Sequence, residues 1–486
     1  MTLRLLLLIA LTPFLGLSQK PLQPLIMKLV SDPQLAQTKW SICAVDLATG
    51  DTLAAFQPQT PRVGASITKL ISSSAALYVL GPKHTATTEI ILEGKMLANG
   101  VFDGNLRILG HGDVSLGSKY FCNQGEELDF IDRWVAAVKA KGITSITGDI
   151  IADGSTFGAY DCPVGWLKED MGNYYGTGAY GLNFYDNILK LKFNTTTAGT
   201  PLKYTGCYPA DIRYNLKIEA NAAGISYDNT HVYGTPFNFE RTIKGRLPAN
   251  RTGFEVKASM PDPERLLADL VYAAMQAKGI RVDGGAMSAR FNKSLQTPVY
   301  ESEVIFTEQG RTLEEIVYWT NHQSLNMFAE GNLLQLGAQR YGTGTYENSL
   351  RVLDEVLQQW QIGPCRVVDG SGLSRENRMS AGQFVQLLSV QTKETYYSSF
   401  YNSLPVAGLS GTLKKVCSGQ AAQGKMHAKS GSMRGIRAYS GYVETAEGHQ
   451  IAFAIIANGF SISSDAMISK MEPFFNGMAT FQAQPK

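Results

Sequence analysis

A serine and a lysine three residues apart, Ser66 and Lys69, open the stretch VGASITKLISSSAALYVLG, whose other side chains are almost all apolar or small. On a helix, residues i and i+3 share a face, so the amine can reach the hydroxyl. Burial among apolar neighbours disfavours the charged form of a lysine and loosens its proton. A neutral amine against a hydroxyl is a base against a nucleophile. The same residues have an ordinary explanation, with Ser66 as a helix N-cap and Lys69 as a surface lysine lying along the helix. For an isolated S-x-x-K the ordinary explanation wins, because four-residue patterns arise by chance in long chains.

Two further patterns change the balance. Ser324-Leu325-Asn326 in QSLNMFAE is an S-x-N, and Lys429-Ser430-Gly431 in HAKSGSMRG is a lysine, a hydroxyl and a glycine, followed by Ser432. Each pattern occurs once. Together and in this order they supply a nucleophile with its base, a hydroxyl with an amide, and a cation with a hydroxyl. His427 lies close to the third pattern but belongs to no ligand spacing, and a structural role is expected for it.

The elements that must position these residues can be read along the chain. PLQPLIMKLVSDPQLAQ has the pattern of an amphipathic helix, and WSICAVDLATGDTLAAFQ that of two strands around a turn. The helix that opens at Ser66 comes next. TTEIILEGKMLANGVFDGNLRILGHGD predicts a β-hairpin with NG and DG turn signals. A helix is expected in FIDRWVAAVKAKG, a strand and turn in SITGDIIADGS, and another helix in DPERLLADLVYAAMQAKG. Between Asn187 and Met260 the alternation in NILKLKF, YNLKIEA and FNFERTIKGRL predicts a small β-rich insert. Helical texture returns in RTLEEIVYWTNHQSLNMFAEGNLLQLGAQRYG, and three strands and a final helix close the chain. Each end thus offers a helix and strands that can complete one antiparallel sheet, with the middle inserted.

Bulk properties bound the reading. A chain of 486 residues is long enough for two or three domains. Hydrophobic residues at 44% and charged residues at 18% are those of a globular protein, which excludes large-scale disorder. A net charge of +2 without a basic run gives no sign of nucleic-acid binding. The start, MTLRLLLLIALTPFLGLSQ, has one arginine, an apolar run from Leu5 to Leu17 and small residues placed for cleavage. It reads as a signal peptide over residues 1–18, with a mature chain beginning near Gln19, exported to the periplasm or cell envelope without a transmembrane segment. The six cysteines are spaced too widely for a zinc site, and disulfides Cys122–Cys162 and Cys365–Cys417 are expected in an oxidising compartment. No metal or cofactor is called for.

The three motifs, with the blocks SITKLISSSAALYVLGP, HGDVSLGS, GDIIADGSTF, DGSGLSREN and AKSGSMRGIRAYSGYV, resemble the low-molecular-mass class C penicillin-binding proteins, the D-alanyl-D-alanine carboxypeptidase/endopeptidases of peptidase family S13. The resemblance covers nearly the whole mature chain. Leu325 stands where the family pattern has Asp, Ser430 where Thr is usual, and GHGDVS replaces a more glycine-rich block.

The resemblance implies an α+β fold: a penicillin-recognising, transpeptidase-like domain with an antiparallel sheet and helices on its faces, carrying two nested inserted domains. On that scheme residues 19–88 and 301–486 form the catalytic domain, 89–186 and 261–300 the first insert, and 187–260 the second. It implies a carboxypeptidase that trims peptidoglycan stem peptides ending in D-Ala-D-Ala and is acylated by β-lactams. Ser66 is then the nucleophile and Lys69 its base, held neutral by burial and by the like charge of Lys429. Ser324 relays the proton to the leaving group, and Asn326 orients Lys69 and the substrate amide. Lys429, Ser430, Gly431 and Ser432 bind the substrate, its terminal carboxylate on Lys429 and Ser430, with the N–H groups of Ser66 and Ser432 as oxyanion hole. For Asp369 and Arg375, loop support and substrate contact remain equally open. A β-lactamase or esterase of the same superfamily, or a non-catalytic peptidoglycan-binding relative, are the competing readings; the first usually lacks so large an insertion, and the second would have lost Ser66 or Lys69.

Overall fold

The computed structural model describes residues 20–158, 162–209, 215–296 and 301–482. The expected signal peptide lies outside the described residues. Among them, no helix is long and apolar enough to cross a membrane.

The two ends of the chain build one five-stranded antiparallel sheet. Its order is Met426–Met433, Ile436–Glu444, Gln450–Asn458, Lys39–Asp46 and Thr52–Phe56. The Gln450–Asn458 strand shows why helices must cover both faces. Its side chains alternate from one face of the sheet to the other. Ile451, Phe453, Ile455 and Ala457 pack with Ile26, Leu29, Met467, Met471 and Phe475 from the first and last helices, Gln23–Val30 and Ser464–Ala479. Ala452, Ala454 and Ile456 pack with Leu70, Ile71, Phe328, Leu333 and Phe384, on the helices Lys69–Leu80, Asn326–Tyr341 and Ala381–Gln391.

A second sheet is built from the middle of the chain. The hairpin Thr85–Met96 and Val101–Gly110 pairs on its outer side with Ser302–Thr312, and short strands flank it. The helices Asp129–Ala140 and Pro263–Ala277 cover it through Trp134, Val138, Leu267 and Val271. All six strands of two smaller three-stranded sheets lie between Ile188 and Ser259, as the alternation there predicts. The strands Thr85–Met96 and Ser302–Thr312 belong by pairing to the middle sheet, so the joint between the end segments and the middle runs through this pair.

Neither expected disulfide forms. Cys122, Cys365 and Cys417 carry free thiols. Cys417 packs in the apolar layer under the last helix, and Cys365 against the opposite layer. Burial pushes both thiols up, Cys365 to about 11 and Cys417 to about 12, so they act as small hydrophobes.

Candidate active site

Ser66 lies in a short 3-10 turn, Ala65–Thr68, that runs into the helix Lys69–Leu80. It is not a cap: Gly64 holds that position, and no side-chain capping bond is made. Ala65, just before it, has φ +49°, and Ser324 has φ +62°, both in the left-handed region that non-glycine residues rarely occupy. Ser66 and Ser324 both line one cleft of about 780 Å³, together with Asn326 and Ser432.

Two glycines let the backbones close in. A Cβ on Gly431 would lie 2.2 Å from the Gly64 carbonyl oxygen and 3.2 Å from the Ser66 nitrogen, so only glycine lets the Met426–Met433 strand reach the turn. A Cβ on Gly372 would lie 2.0 Å from the Ala65 carbonyl oxygen, which brings the loop after Asp369 against the same turn.

Lys69 is fully buried. Its amine donates to Ser66 Oγ at 3.0 Å, Asn326 Oδ1 at 2.6 Å and the Ser371 carbonyl at 2.7 Å. Burial pulls its pKa down to about 7, against the opposing pull of Glu330 and Asp369. Lys429, equally buried, donates to Ser324 Oγ at 2.9 Å and to the Ser430 carbonyl at 2.8 Å. Burial first, and then the charge of Lys69, hold Lys429 well below the usual lysine range. Burial is the leading cause at both lysines, as expected for Lys69, and the like charges of the pair repel one another across the site. Ser430 Oγ donates to Thr412 Oγ1 at 2.8 Å.

The expected residues thus come together, and several others join them. Asn326 begins the helix Asn326–Tyr341, and its Nδ2 donates to the Tyr175 carbonyl at 2.7 Å. That contact, from the middle of the chain, fixes which amide atom faces Lys69. Glu330, one turn further on, accepts from Gly370 N at 2.9 Å, Ser371 N at 2.8 Å and Tyr346 OH at 3.0 Å. Burial and the nearby Asp369 raise its pKa to about 7. A carboxylate inside the apolar run MFAEGNLLQLG, four residues after Asn326, is the sequence signal that marks it. Tyr175 and Thr412 carry no such signal.

Asp369 is a loop organiser. It is fully buried and accepts from Trp166 Nε1 at 2.9 Å, Gly372 N at 2.8 Å, Ser374 N at 2.6 Å and Asn377 Nδ2 at 2.7 Å. Arg375, on the same loop, lines the cleft. His427 stacks on Tyr401 with ring centres 4.4 Å apart, away from the cleft lining.

Comparison with known proteins gives the family and the fold. The family model for the D-Ala-D-Ala carboxypeptidase 3 (S13) family matches residues 22–480. The D-alanyl-D-alanine carboxypeptidase of Actinomadura sp. (strain R39) is 30% identical over 448 residues, which cover 89% of this chain and 80% of the relative. The D-alanyl-D-alanine carboxypeptidase DacB of Haemophilus influenzae is 22% identical over 88% of this chain and 87% of its own. The crystal structure of penicillin binding protein 4 from the same organism superposes with a TM-score of 0.81 at 20% identity, covering 94% of this chain and 99% of that one. A second structure of that protein, complexed with a β-lactam, superposes with a TM-score of 0.76 over the same shares. The fold is therefore the α+β architecture of penicillin binding protein 4, a terminal sheet with further sheets inserted.

Proposed function

Because the chain belongs to the D-Ala-D-Ala carboxypeptidase 3 (S13) family, we propose that its cleft removes the last residue from peptides ending in D-Ala-D-Ala, through an ester on Ser66. The observation that carries this reading is a fully buried lysine, its pKa drawn to about 7, with its amine 3.0 Å from a serine hydroxyl at the cleft.

The neutral amine of Lys69 takes the proton of Ser66 as Oγ attacks the carbonyl between the two D-alanines. The oxyanion is held by the N–H groups of Ser66 and Ser432, and preorganised donors of this kind contribute about 3 kcal/mol each. Ser324, with its oxygen on Lys429, gives its hydroxyl proton to the departing amine and is reprotonated by the proton Lys69 took from Ser66, so D-alanine leaves and Lys69 is neutral again. Water then attacks the ester with Lys69 again as base. The terminal carboxylate docks on Ser430 and Lys429. A carboxylate beside Lys429 favours its charged form, so the substrate restores the cation that attracts it.

In this reading residues 19–88 and 301–486 are the catalytic unit, 89–186 with 261–300 a first insert, and 187–260 a second. The shared terminal sheet and the self-contained small sheets support it, with the paired strands Thr85–Met96 and Ser302–Thr312 as the joint. The apolar run Leu5–Leu17 supports export to the compartment where peptidoglycan lies.

The test uses a D-Ala-D-Ala peptide and penicillin side by side. The peptide is expected to release D-alanine and turn over. Penicillin is expected to leave a lasting adduct, because its opened ring stays tethered where the departing residue would diffuse away. Intact mass and peptide mapping should place that adduct in VGASITK. An adduct on another serine would overturn the assignment of Ser66. Rapid penicillin hydrolysis without an adduct would make the protein a β-lactamase.

A further inference from the structure

A second charged cluster lines the cleft and takes no part in the chemistry above. Lys119, Lys257 and Asp186 all face the same space as Ser66. Lys257 stands on the strand Arg251–Ser259, and Asp186 on the turn Tyr185–Asn187. Tyr185, Asp186 and Asn187 have φ +51°, +54° and +52°, three successive non-glycine residues in the left-handed region. Such a conformation persists only where the surroundings hold it. Here Asn187 does so: its Nδ2 donates to Asn183 Oδ1 at 2.8 Å and to the Gly178 carbonyl at 3.2 Å, and its Oδ1 accepts from Phe184 N at 3.2 Å.

The turn sets the carboxyl of Asp186 into the cleft wall beside the two lysines. Its Oδ1 is shielded from solvent and has no hydrogen-bond partner. Burial raises the pKa of Asp186, while the Ser118 hydroxyl and then Lys119 and Lys257 pull it back. The two lysines stand close enough to repel: burial first, and then the charge of Lys257, lower the pKa of Lys119. Lys119 leans over the Tyr120 ring at 4.9 Å, and Lys257 over the Tyr174 ring at 5.9 Å. Lys190 adds positive charge nearby, though Glu255 at 3.9 Å offsets it. The wall therefore offers two cations against one carboxyl.

We propose that Lys119 and Lys257 form an anion subsite for a second carboxylate of the peptide, upstream of the D-alanine pair and separate from the terminal one, while Asp186 draws the two amines to the cleft wall. The proposal rests on the carboxypeptidase reading. It makes the enzyme selective for stem peptides whose acidic residue is free over those in which it is amidated.

Two peptides test it, both ending in D-Ala-D-Ala and identical except that a γ-linked D-glutamate carries a free α-carboxylate in one and an α-carboxamide in the other. Charge-assisted hydrogen bonds of this kind favour the free acid by about tenfold in kcat/KM, carried by KM. In the double variant Lys119→Gln/Lys257→Gln the ratio should fall to near one. In Lys119→Arg/Lys257→Arg, which keeps the charge, the preference should remain, and this pair guards against loss through misfolding. Equal rates for both peptides with the native enzyme, or a preference that survives the glutamine pair, would overturn the subsite. Release of D-alanine from neither peptide would overturn the carboxypeptidase reading and this inference with it.

Discussion

Two parts of the molecule bury positive charge, and they do it differently. In the middle sheet Arg107 is only 3% exposed and sits between two carboxylates, Glu93 and Asp153, with its Nη1 2.6 Å from Asp153 Oδ2 and 2.6 Å from the Leu295 carbonyl. At the cleft Lys69 and Lys429 are fully buried, yet their amines touch hydroxyls, an amide oxygen and carbonyls. The carboxylate closest in effect to Lys69, Glu330, is tied to Gly370 N, Ser371 N and Tyr346 OH. A guanidinium between carboxylates is closed: its N–H groups point at fixed acceptors, and a guanidinium does not give up its proton in proteins. An amine among neutral oxygens is open, because it can lose its proton and keep its hydrogen bonds. The first arrangement holds a fold, and the second does chemistry.

The comparison breaks most visibly if the open amine is removed. Lys69→Ala should slow acylation of Ser66 by a factor on the order of 10³ or more, while substrate binding changes little. Labelling with a fluorescent penicillin measures the rate. Near-normal acylation would mean that Lys69 is as closed as Arg107.

The reverse experiment is Arg107→Met. It leaves Glu93 and Asp153 buried without their partner and should cost about 3–5 kcal/mol of stability. Urea denaturation measures that loss. The rate of Ser66 acylation, counted per folded molecule, should stay near that of the native chain.

The pH dependence sharpens the contrast. The base form of Lys69 is populated above its lowered pKa of about 7 and lost below it. Acylation should therefore be half-maximal near pH 7 and drop about tenfold for each further unit of acid. A flat profile between pH 5 and 9, tested by the same labelling, would contradict the assignment.

The smallest effect concerns Glu330. Its negative charge favours the protonated form of Lys69. Glu330→Gln removes that charge, so the acid limb should move to lower pH by less than about one unit. A shift to higher pH would show that the carboxylate acts through something other than its charge.

The sequence carried much of this in its periodicity. The hairpin Thr85–Met96 and Val101–Gly110 follows from NG and DG turns between alternating runs, and the last three strands were legible in HAKSGSMRGIRAYSGYVETAEGHQIAFAIIANGF. Ser66, Lys69, Ser324, Asn326 and Lys429 were legible because short patterns fix their spacing. Tyr175 and Thr412 were not, because a backbone carbonyl or a lone hydroxyl serves a site only through where the fold puts it. The cysteine spacings invited disulfides, but Cys365 and Cys417 fill separate apolar layers.

The terminal sheet has a consequence for timing. Its strand Lys39–Asp46 pairs with Gln450–Asn458, made roughly 400 residues later. At ordinary rates of synthesis the first strand waits on the order of tens of seconds for its partner. Ser66 and Lys69 are made early, but the strand that carries Lys429 comes near the very end. The middle sheet, whose strands are nearly all made in between, has time to assemble first. The cleft is thus among the last features the chain completes, since Ser324 lacks its Lys429 partner until that strand is made.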